Sequence, residues 1–329
     1  MTSPMVTRRT VLGVAGTALA AALGSTARAE NSYPSRLVRL ISPYGAGGAS
    51  DISLRIFAEL LGQRLGQQFI VENRPGAGTR IANEQVARAQ PDGYTLLYAA
   101  APYATAEALF GKLNYDPQKD LRPVAGTIIA PLFLMISADA RFKTLDELIA
   151  YGKSQPAGLT FASPGVGSQP HLAAQLLMRD AKVEGLNIPM RGDSMAYTEL
   201  LAGRVDATLT AISTALPYIE SGKFRVLGVA SAERSAVYPQ APTLREQGYP
   251  NVVAAGWYGF MAPSAIPQPV FDRLESEICR ILGAADVKQK LFAQGLDIRV
   301  NTGAEFGRFV EDETRKWSAL IRDAGMKAE

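Results

Sequence analysis

The chain has 329 residues, of which 47% are hydrophobic and 20% charged, and it carries 34 basic and 31 acidic side chains. This length suggests two domains, and the near balance of charge gives no support for a nucleic acid or an acidic membrane as partner. The single cysteine excludes a disulfide within the chain, and one cysteine with one histidine provides too few ligands for a zinc site. We therefore expect no metal and no cofactor.

Residues 1–29 combine a basic start, a short apolar run and small residues at the end. Arg8 and Arg9 precede an apolar run over residues 11–23, and Ala27-Arg28-Ala29 matches an A-x-A cleavage pattern. The run is shorter than the roughly 20 apolar residues of a membrane-spanning helix, which disfavours an anchor. The paired arginines also fit a twin-arginine export signal loosely. We predict that residues 1–29 are a cleaved signal peptide and that the mature protein is periplasmic.

Short apolar runs alternate with amphipathic runs along the rest of the chain. The pattern predicts strands over residues 37–42, 68–71, 94–98, 132–136, 159–163, 205–210 and 224–230. It predicts helices over residues 52–65, 79–89, 170–179 and 194–202, a short helix opened by Thr144, and a last third that is helical. This alternation indicates an α/β protein with a mostly parallel sheet.

Three predicted strand-to-helix junctions are rich in glycine: residues 42–51, 72–79 and 162–171. The N-terminus of a helix has unpaired N–H groups and a partial positive charge. Glycine lets a ligand approach such a backbone closely, and ligands of open α/β sheets bind beyond the carboxyl ends of the strands. We predict an anion site built from backbone groups, although any one of these glycine turns alone could serve the fold only.

Nucleotide-binding and enzymatic functions lack their motifs. Neither Gly76-Ala-Gly78 nor Gly165-Val-Gly167 is followed by the third glycine of a dinucleotide fingerprint, and no phosphate-binding P-loop or G-x-S-x-G elbow occurs. The only histidine, His171, lies at the start of a predicted helix, where it has a structural role or contacts a ligand. A hydrolase or lyase using Asp51 or His171 is the least supported function, and we predict that the protein is not an enzyme.

Ordered segments over nearly all of the chain after residue 33 carry a family resemblance. They include residues 43–51, 71–78, 89–97, 115–124, 163–172, 201–206 and 257–263. In these segments the chain resembles the Bug-type receptors, the substrate-binding components of tripartite tricarboxylate transporters. The resemblance implies a type II periplasmic-binding-protein fold with two α/β lobes, a hinge and a ligand cleft between them. With crossings placed near Ala130 and Gly256, lobe 1 covers residues 33–130 plus 257–329, and lobe 2 covers residues 131–256.

The resemblance also implies a ligand and partners. The ligand is expected to be a small organic acid, often a dicarboxylate, delivered by a monomeric receptor to the membrane subunits of a tripartite transporter. The alternative is a periplasmic sensor subunit that passes ligand occupancy to a signalling partner. The first and third junctions then supply most of the predicted ligand-binding residues: Tyr44, Ala46, Gly47, Gly48 and Asp51 from lobe 1, and Ser163, Gly167, Ser168, Thr210 and Ser213 from lobe 2.

Several positions depart from the family pattern. Tyr44 stands where the family often has phenylalanine, Met190 where it often has tyrosine, and Gln175 where it often has glutamate. Thr79 and Arg80 follow Gly78, where the family often continues with glycine, and Arg80 is either a clamp for a carboxylate or a solvated helix residue. These departures leave an uncharged or aromatic-bearing acid open as the ligand.

Overall fold

The computed structural model describes residues 33–190, 192–323 and 325–326, so the predicted signal peptide lies outside the described residues. The strands are β1 (Val38–Ser42), β2 (Phe69–Asn73), β3 (Thr95–Ala100), β4 (Leu121–Ser137), β5 (Leu159–Ser163), β6 (Gly185–Pro189), β7 (Ala207–Ala211), β8 (Phe224–Val229), β9 (Ala255–Pro263) and β10 (Asp297–Thr302). The helices are α1 (Ala49–Leu65), α2 (Arg80–Ala87), α3 (Pro102–Phe110), α4 (Leu145–Ser154), α5 (Gln169–Ala181), α6 (Asp193–Leu201), α7 (Ile212–Glu220), α8 (Gln268–Gly283), α9 (Ala285–Phe292) and α10 (Gly303–Asp323).

The strands form two α/β units joined through one long strand. The strand order is β2-β1-β3-β9-β4-β7-β5-β6, with β10 and β8 also paired to β4. Within each unit three strands are parallel, β1–β3 in one and β5–β7 in the other. Strands β4, β8, β9 and β10 add antiparallel pairs, so the sheet is more mixed than the mostly parallel sheet expected from sequence. The fold is a two-lobed mixed α/β fold.

Strand β4 changes partners along its length. Its residues up to Pro131 pair with β9, and its residues from Leu132 onward pair with β7 and β8. Ala130 and Gly256, where we placed the crossings between lobes, are register partners in β4 and β9. This pairing is compatible with the proposed lobe boundaries, which stay a prediction.

The C-terminal helix α10 contributes to the cores of both units. Phe306 and Val310 pack in a cluster with Trp257 of β9. Further along the same helix, Trp317 and Ile321 pack with β5, α4 and α5 of the second unit. Burying a large apolar side chain stabilises a fold by about 1.5–3 kcal/mol, so α10 ties the two units together. Within the described ranges, no helix combines the length and apolar character needed to cross a bilayer.

The expectation of a helical last third was wrong in part, because β9 and β10 lie there. Strand β9 is central, between β3 and β4, and most of its side chains are buried. A strand covered on both faces lacks the alternation of polar and apolar residues that reveals a strand in sequence. Helices α3 and α7 were also missed, and both are short.

Candidate functional site

The first glycine junction, between β1 and α1, is shaped by Asp51. The N–H of Gly47, whose φ of +87° favours glycine, donates to Oδ2 of Asp51 at 3.1 Å. Arg55 forms an ion pair with the same carboxylate at 2.9 Å, and the Asn73 amide donates to its Oδ1 at 3.1 Å. Burial opposes ionisation, yet these donors, Arg55 first among them, hold the pKa of Asp51 below its usual value. Asp51 is therefore occupied with holding the loop.

The third glycine junction, between β5 and α5, repeats this design with a neutral side chain. The N–H of Gly167, at φ +75°, donates to Nδ1 of His171 at 3.0 Å. Burial lowers the pKa of His171 to about 4, so the imidazole stays neutral and keeps its acceptor near pH 7. In both junctions the third residue of the helix accepts a hydrogen bond from the glycine four residues before it.

The two serines predicted as ligands have partners inside the third junction. The hydroxyls of Ser163 and Ser168 both donate to the carbonyl of Gly165, at 3.2 and 2.7 Å. The Ser168 hydroxyl also caps α5 by accepting the N–H of His171 at 3.5 Å. In the described part of the chain, the backbone N–H groups of Gly48 and Val166 find no backbone or side-chain acceptor. The groups left for an anion in these loops are thus backbone N–H groups.

The junctions of the two units meet across a cleft. The Thr105 hydroxyl at the start of α3 donates to the carbonyl of Gly167 at 3.3 Å. A Cβ placed on Gly78, in the second junction, would lie 3.7 Å from the carbonyl oxygen of Val166. A Cβ placed on Gly48, in the first junction, would lie 3.9 Å from Oδ2 of Asp193, which opens α6. All three sequence-predicted glycine junctions therefore lie next to groups of the opposite unit.

Asp193 and Tyr258 are cleft residues that the motif search missed. Burial raises the pKa of Asp193 to about 6, with a hydrogen bond from Thr210 partly opposing the shift. Burial raises the pKa values of Tyr44 and Tyr258, and the nearby Asp193 carboxylate adds to both shifts. Tyr258 also stacks on the buried Tyr98, with ring centroids 5.6 Å apart, which fixes its ring. The signal in the sequence was Gly192 between β6 and α6, a strand–glycine–helix junction with one glycine instead of two.

The last two predicted residues lie at the ends of β7 and α7. The Thr210 hydroxyl is hydrogen-bonded to that of Tyr197 at 2.8 Å and to Oδ1 of Asp193 at 3.4 Å. Thr210 thus belongs to the Asp193 side of the cleft. Ser213 packs against the turn at Gly295, where an added Cβ would come within 3.3 Å of its Cα. The Ser213 hydroxyl is buried and has no partner among the described residues.

Arg80, for which two roles were open, packs beside the second junction. Its guanidinium carbon lies 3.8 Å from the centroid of the Phe110 ring, and its Nε donates to the carbonyl of Ala77 at 2.8 Å. These contacts hold Arg80 against its own loop and against the end of α3. Across the described ranges, no three acidic, histidine or cysteine side chains cluster closely enough to hold a metal ion. Exposed helix N-termini with unpaired N–H groups favour an anion in the cleft.

Comparisons with known proteins agree with this geometry. Residues 53–326 match the sequence profile of the family described as "Tripartite tricarboxylate transporter family receptor". BugT of Bordetella pertussis is 33% identical over 319 residues, which are 96% of this chain and 98% of BugT. A solved R. palustris protein with adipate is 28% identical with a TM-score of 0.86, and the match covers 90% of this chain and all of that one. MatC of Rhodopseudomonas palustris with bound malate is 32% identical with a TM-score of 0.82, over 88% of this chain and all of MatC.

These matches span almost the whole chain and include one structure with adipate and one with bound malate. They confirm the Bug-type resemblance and the two-lobed periplasmic-binding fold, and they make the protein a receptor rather than an enzyme. The chain belongs to the tripartite tricarboxylate transporter receptor family.

Proposed function

We propose that the mature protein binds a small organic acid, a carboxylate or dicarboxylate, in the interlobe cleft and delivers it to the membrane subunits of a tripartite transporter. The observation that carries the proposal is that two glycine junctions with unpaired N–H groups, at Gly48 of one unit and Val166 of the other, both lie where the two units face each other. The adipate and malate in the related structures support an acid as the ligand. Cleavage of residues 1–29 yields the mature receptor, which acts as a monomer.

Backbone recognition explains how the site holds an anion without a lysine or arginine. Asp51 and His171 each accept one glycine N–H and fix the loop, which leaves the neighbouring N–H groups for the ligand. A preformed cradle of this kind lowers the entropy cost of binding. A dicarboxylate that contacts both junctions stabilises the closed state, because only that state offers both sets of contacts.

The loop residues have unequal parts in this proposal. The backbone of Ala46, Gly47, Gly48 and Gly167 shapes the cradle, in which the N–H groups of Gly48 and Val166 are the ones left for the ligand, and Tyr44 and Thr210 line it. Asp51, Ser163 and Ser168 act through the loops they shape. Ser213 closes the far side next to Gly295.

Thermal unfolding of the protein from residue 30 onward, against a panel of mono-, di- and tricarboxylates, tests the proposal. Before the panel, the protein is unfolded, dialysed and refolded, which removes any ligand carried over from the host. A ligand that binds only the folded state adds about 2.7 kcal/mol of stability at a hundredfold excess over Kd. We expect at least one acid to raise the melting temperature in a saturable way. If no acid does so, the anion site is disproved.

A cleft-blocking variant locates the binding. Gly48 has an ordinary φ of −89°, and the nearest atom to an added Cβ is Oδ2 of Asp193 at 3.9 Å. Gly48→Leu should therefore fold and project its side chain into the cleft, which removes the acid-dependent shift. Gly283→Leu is the matched control, since Gly283 ends α8 with no atom within 4 Å of an added Cβ. Equal shifts in both variants would place the ligand elsewhere.

A further inference from the structure

Tyr98 is a fully buried tyrosine in the core of the first unit, and its ring supports a residue of the cleft. The rings of Tyr98 and Tyr258 are stacked, with an angle of 11° between their planes and 5.6 Å between their centroids. Burial raises the pKa of Tyr258, and the neighbouring Tyr44 of the same unit and Asp193 of the opposite unit add to the shift. The half-buried ring of Tyr258 thus faces the opposite unit, and Tyr98 packs against it from the core.

The hydroxyl of Tyr98 lies between two other buried hydroxyls. It is 3.0 Å from the hydroxyl of Ser53 on α1 and 3.0 Å from that of Thr127 on β4. The Thr127 hydroxyl also donates to the carbonyl of Tyr258 on β9 at 3.0 Å. Since each hydroxyl has one hydrogen to donate, all three contacts are hydrogen bonds only if every hydroxyl donates toward this carbonyl. A continuous chain of hydrogen bonds then runs from α1 through β3 and β4 to β9.

Both ends of this chain of hydrogen bonds lie near parts of the molecule that shape the candidate site. Ser53 lies one turn into α1, which begins directly after Gly48, whose N–H is left for the ligand. Thr127 is the extra residue of a bulge in β4, opposite β9. Bulges are frequent next to functional sites, where they redirect side chains. Tyr98 therefore connects the helix that carries the first junction with the strand that pairs in both units.

A role in stability alone does not explain the Tyr98 hydroxyl. Without it, Ser53 can donate to the carbonyl of Ala49, which lies 2.8 Å away, and Thr127 keeps the carbonyl of Tyr258. Neither neighbouring hydroxyl would lose its acceptor, so the large cost of an unpaired buried donor does not arise. A phenylalanine would also keep the stacked ring. Its one structural consequence is the loss of the link between α1 and β4.

We propose that Tyr98 is a positioning residue of this receptor: its ring holds the Tyr258 ring in the cleft, and its hydroxyl holds the start of α1 in place against β4. The N–H of Gly48 then keeps a fixed position, which lowers the entropy cost of ordering the site around an anion. This inference rests on the proposed function, because it assumes that the acid binds at Gly48. It deepens that function by naming a residue that acts on the site without touching the ligand.

The test combines thermal unfolding with calorimetric titration of the refolded mature protein, using acetate, succinate, malate, adipate and citrate. In Tyr98→Phe the acid that wild type binds best should bind about threefold to tenfold more weakly, as expected for one lost hydrogen bond. The melting temperature of this variant should stay within about 3 °C of wild type. Ser53→Ala removes the same link from the side of α1, so it should weaken binding to a similar extent. The double variant should bind no more weakly than either single one.

Tyr115→Phe is the matched control. Tyr115 is buried in the same unit, and its hydroxyl accepts from the Asn83 amide at 3.0 Å, beside α2. This variant should lower the melting temperature at least as much as Tyr98→Phe and leave the affinity unchanged, because its hydroxyl has no link to α1 or β4. Unchanged affinity in Tyr98→Phe and Ser53→Ala overturns the inference, as does an equal loss in Tyr115→Phe, which would show that affinity only follows stability. If wild type binds none of the five acids, the proposed function itself fails, and this inference fails with it.

Discussion

Two residues of different chemistry have the same structural role in the glycine junctions. Asp51 is an anion braced by Arg55, and His171 is a neutral imidazole, yet each is the third residue of its helix and accepts a glycine N–H. The glycines adopt positive φ, so their N–H groups turn back toward the helix start. What matters at this position is an acceptor of the right length rather than a charge. The role of His171 is therefore to position the loop.

The neutral state of His171 predicts a pH dependence of stability. Its pKa falls from 6.5 in the unfolded chain to about 4 in the folded one, so the unfolded chain takes up a proton first as the pH drops. The contribution is fully present above pH 6.5 and is lost between pH 6.5 and 4, with a size on the order of 3 kcal/mol. Urea unfolding at several pH values measures it.

His171→Asn is the variant that isolates this effect, because an amide oxygen can replace Nδ1 as acceptor and does not titrate. The difference in unfolding free energy between wild type and this variant should shift by about 3 kcal/mol against wild type from pH 7 to 4. Asp193 titrates in the same window with the opposite sign, since its pKa is raised to about 6 and stability from it falls as pH rises. Asp193 is present in both proteins, so its contribution cancels in the difference between their unfolding free energies. If the unfolding free energies of the two proteins change in parallel with pH, His171 is not held neutral.

At the scale of elements, the glycine in the middle of β9 is required by packing. A Cβ on Gly259 would lie 2.3 Å from Phe306 of α10 and 2.8 Å from the carbonyl oxygen of Ala125 on β4. Gly259→Ala should therefore cost about 1–3 kcal/mol of stability by overpacking. Denaturant unfolding checks the value, and Gly283→Ala, in open space at the end of α8, should change stability by less than about 1 kcal/mol.

A second substitution tests the cause of that cost. If the clash with Phe306 dominates, Phe306→Leu should cost less in the Gly259→Ala background than in wild type, because the two positions are in contact. Additive effects would show that the ring has no part in the requirement for glycine at 259.

Sequence patterns predicted short apolar strands that are bounded by glycine or polar residues, and they failed where prolines and glycines interrupt a strand. Strand β5 was predicted with its observed bounds, and β1 within one residue. The first half of β4 was missed because Pro123, Gly126 and Pro131 read as strand breakers, whereas here they lie in a strand with two register shifts against β9. Those irregularities depend on long-range pairing, which local patterns do not contain.

In the candidate site, too, local sequence patterns predicted some features and missed those that depend on long-range contacts. Glycine repeats located the three junctions, since positive φ and close approach leave a clear mark on the sequence. The roles of Ser163 and Ser168 did not follow from composition, because a hydroxyl beside a glycine serves equally to bind a ligand or to bond the Gly165 carbonyl. Asp193 was missed because its position opposite Gly48 depends on how the two lobes meet.

For the whole molecule, hydrogen bonds beside the third junction join the two lobes. Gly167 meets Thr105, and Gln169 at the start of α5 donates to Glu313 of α10 at 3.3 Å. Trp317 donates to the same carboxylate at 2.7 Å, so one acidic side chain links the C-terminal helix to the third junction. Helix α10 packs in both cores, so a change in the position of one lobe relative to the other must alter its contacts.

The most direct measurement is a crystal structure of the mature protein with the acid that stabilises it most. We predict a carboxylate of that acid within hydrogen-bond distance of the backbone N–H groups around Gly48 or Val166, enclosed between the two lobes. A ligand bound outside the cleft, or held in it by side chains without these N–H groups, would contradict the account.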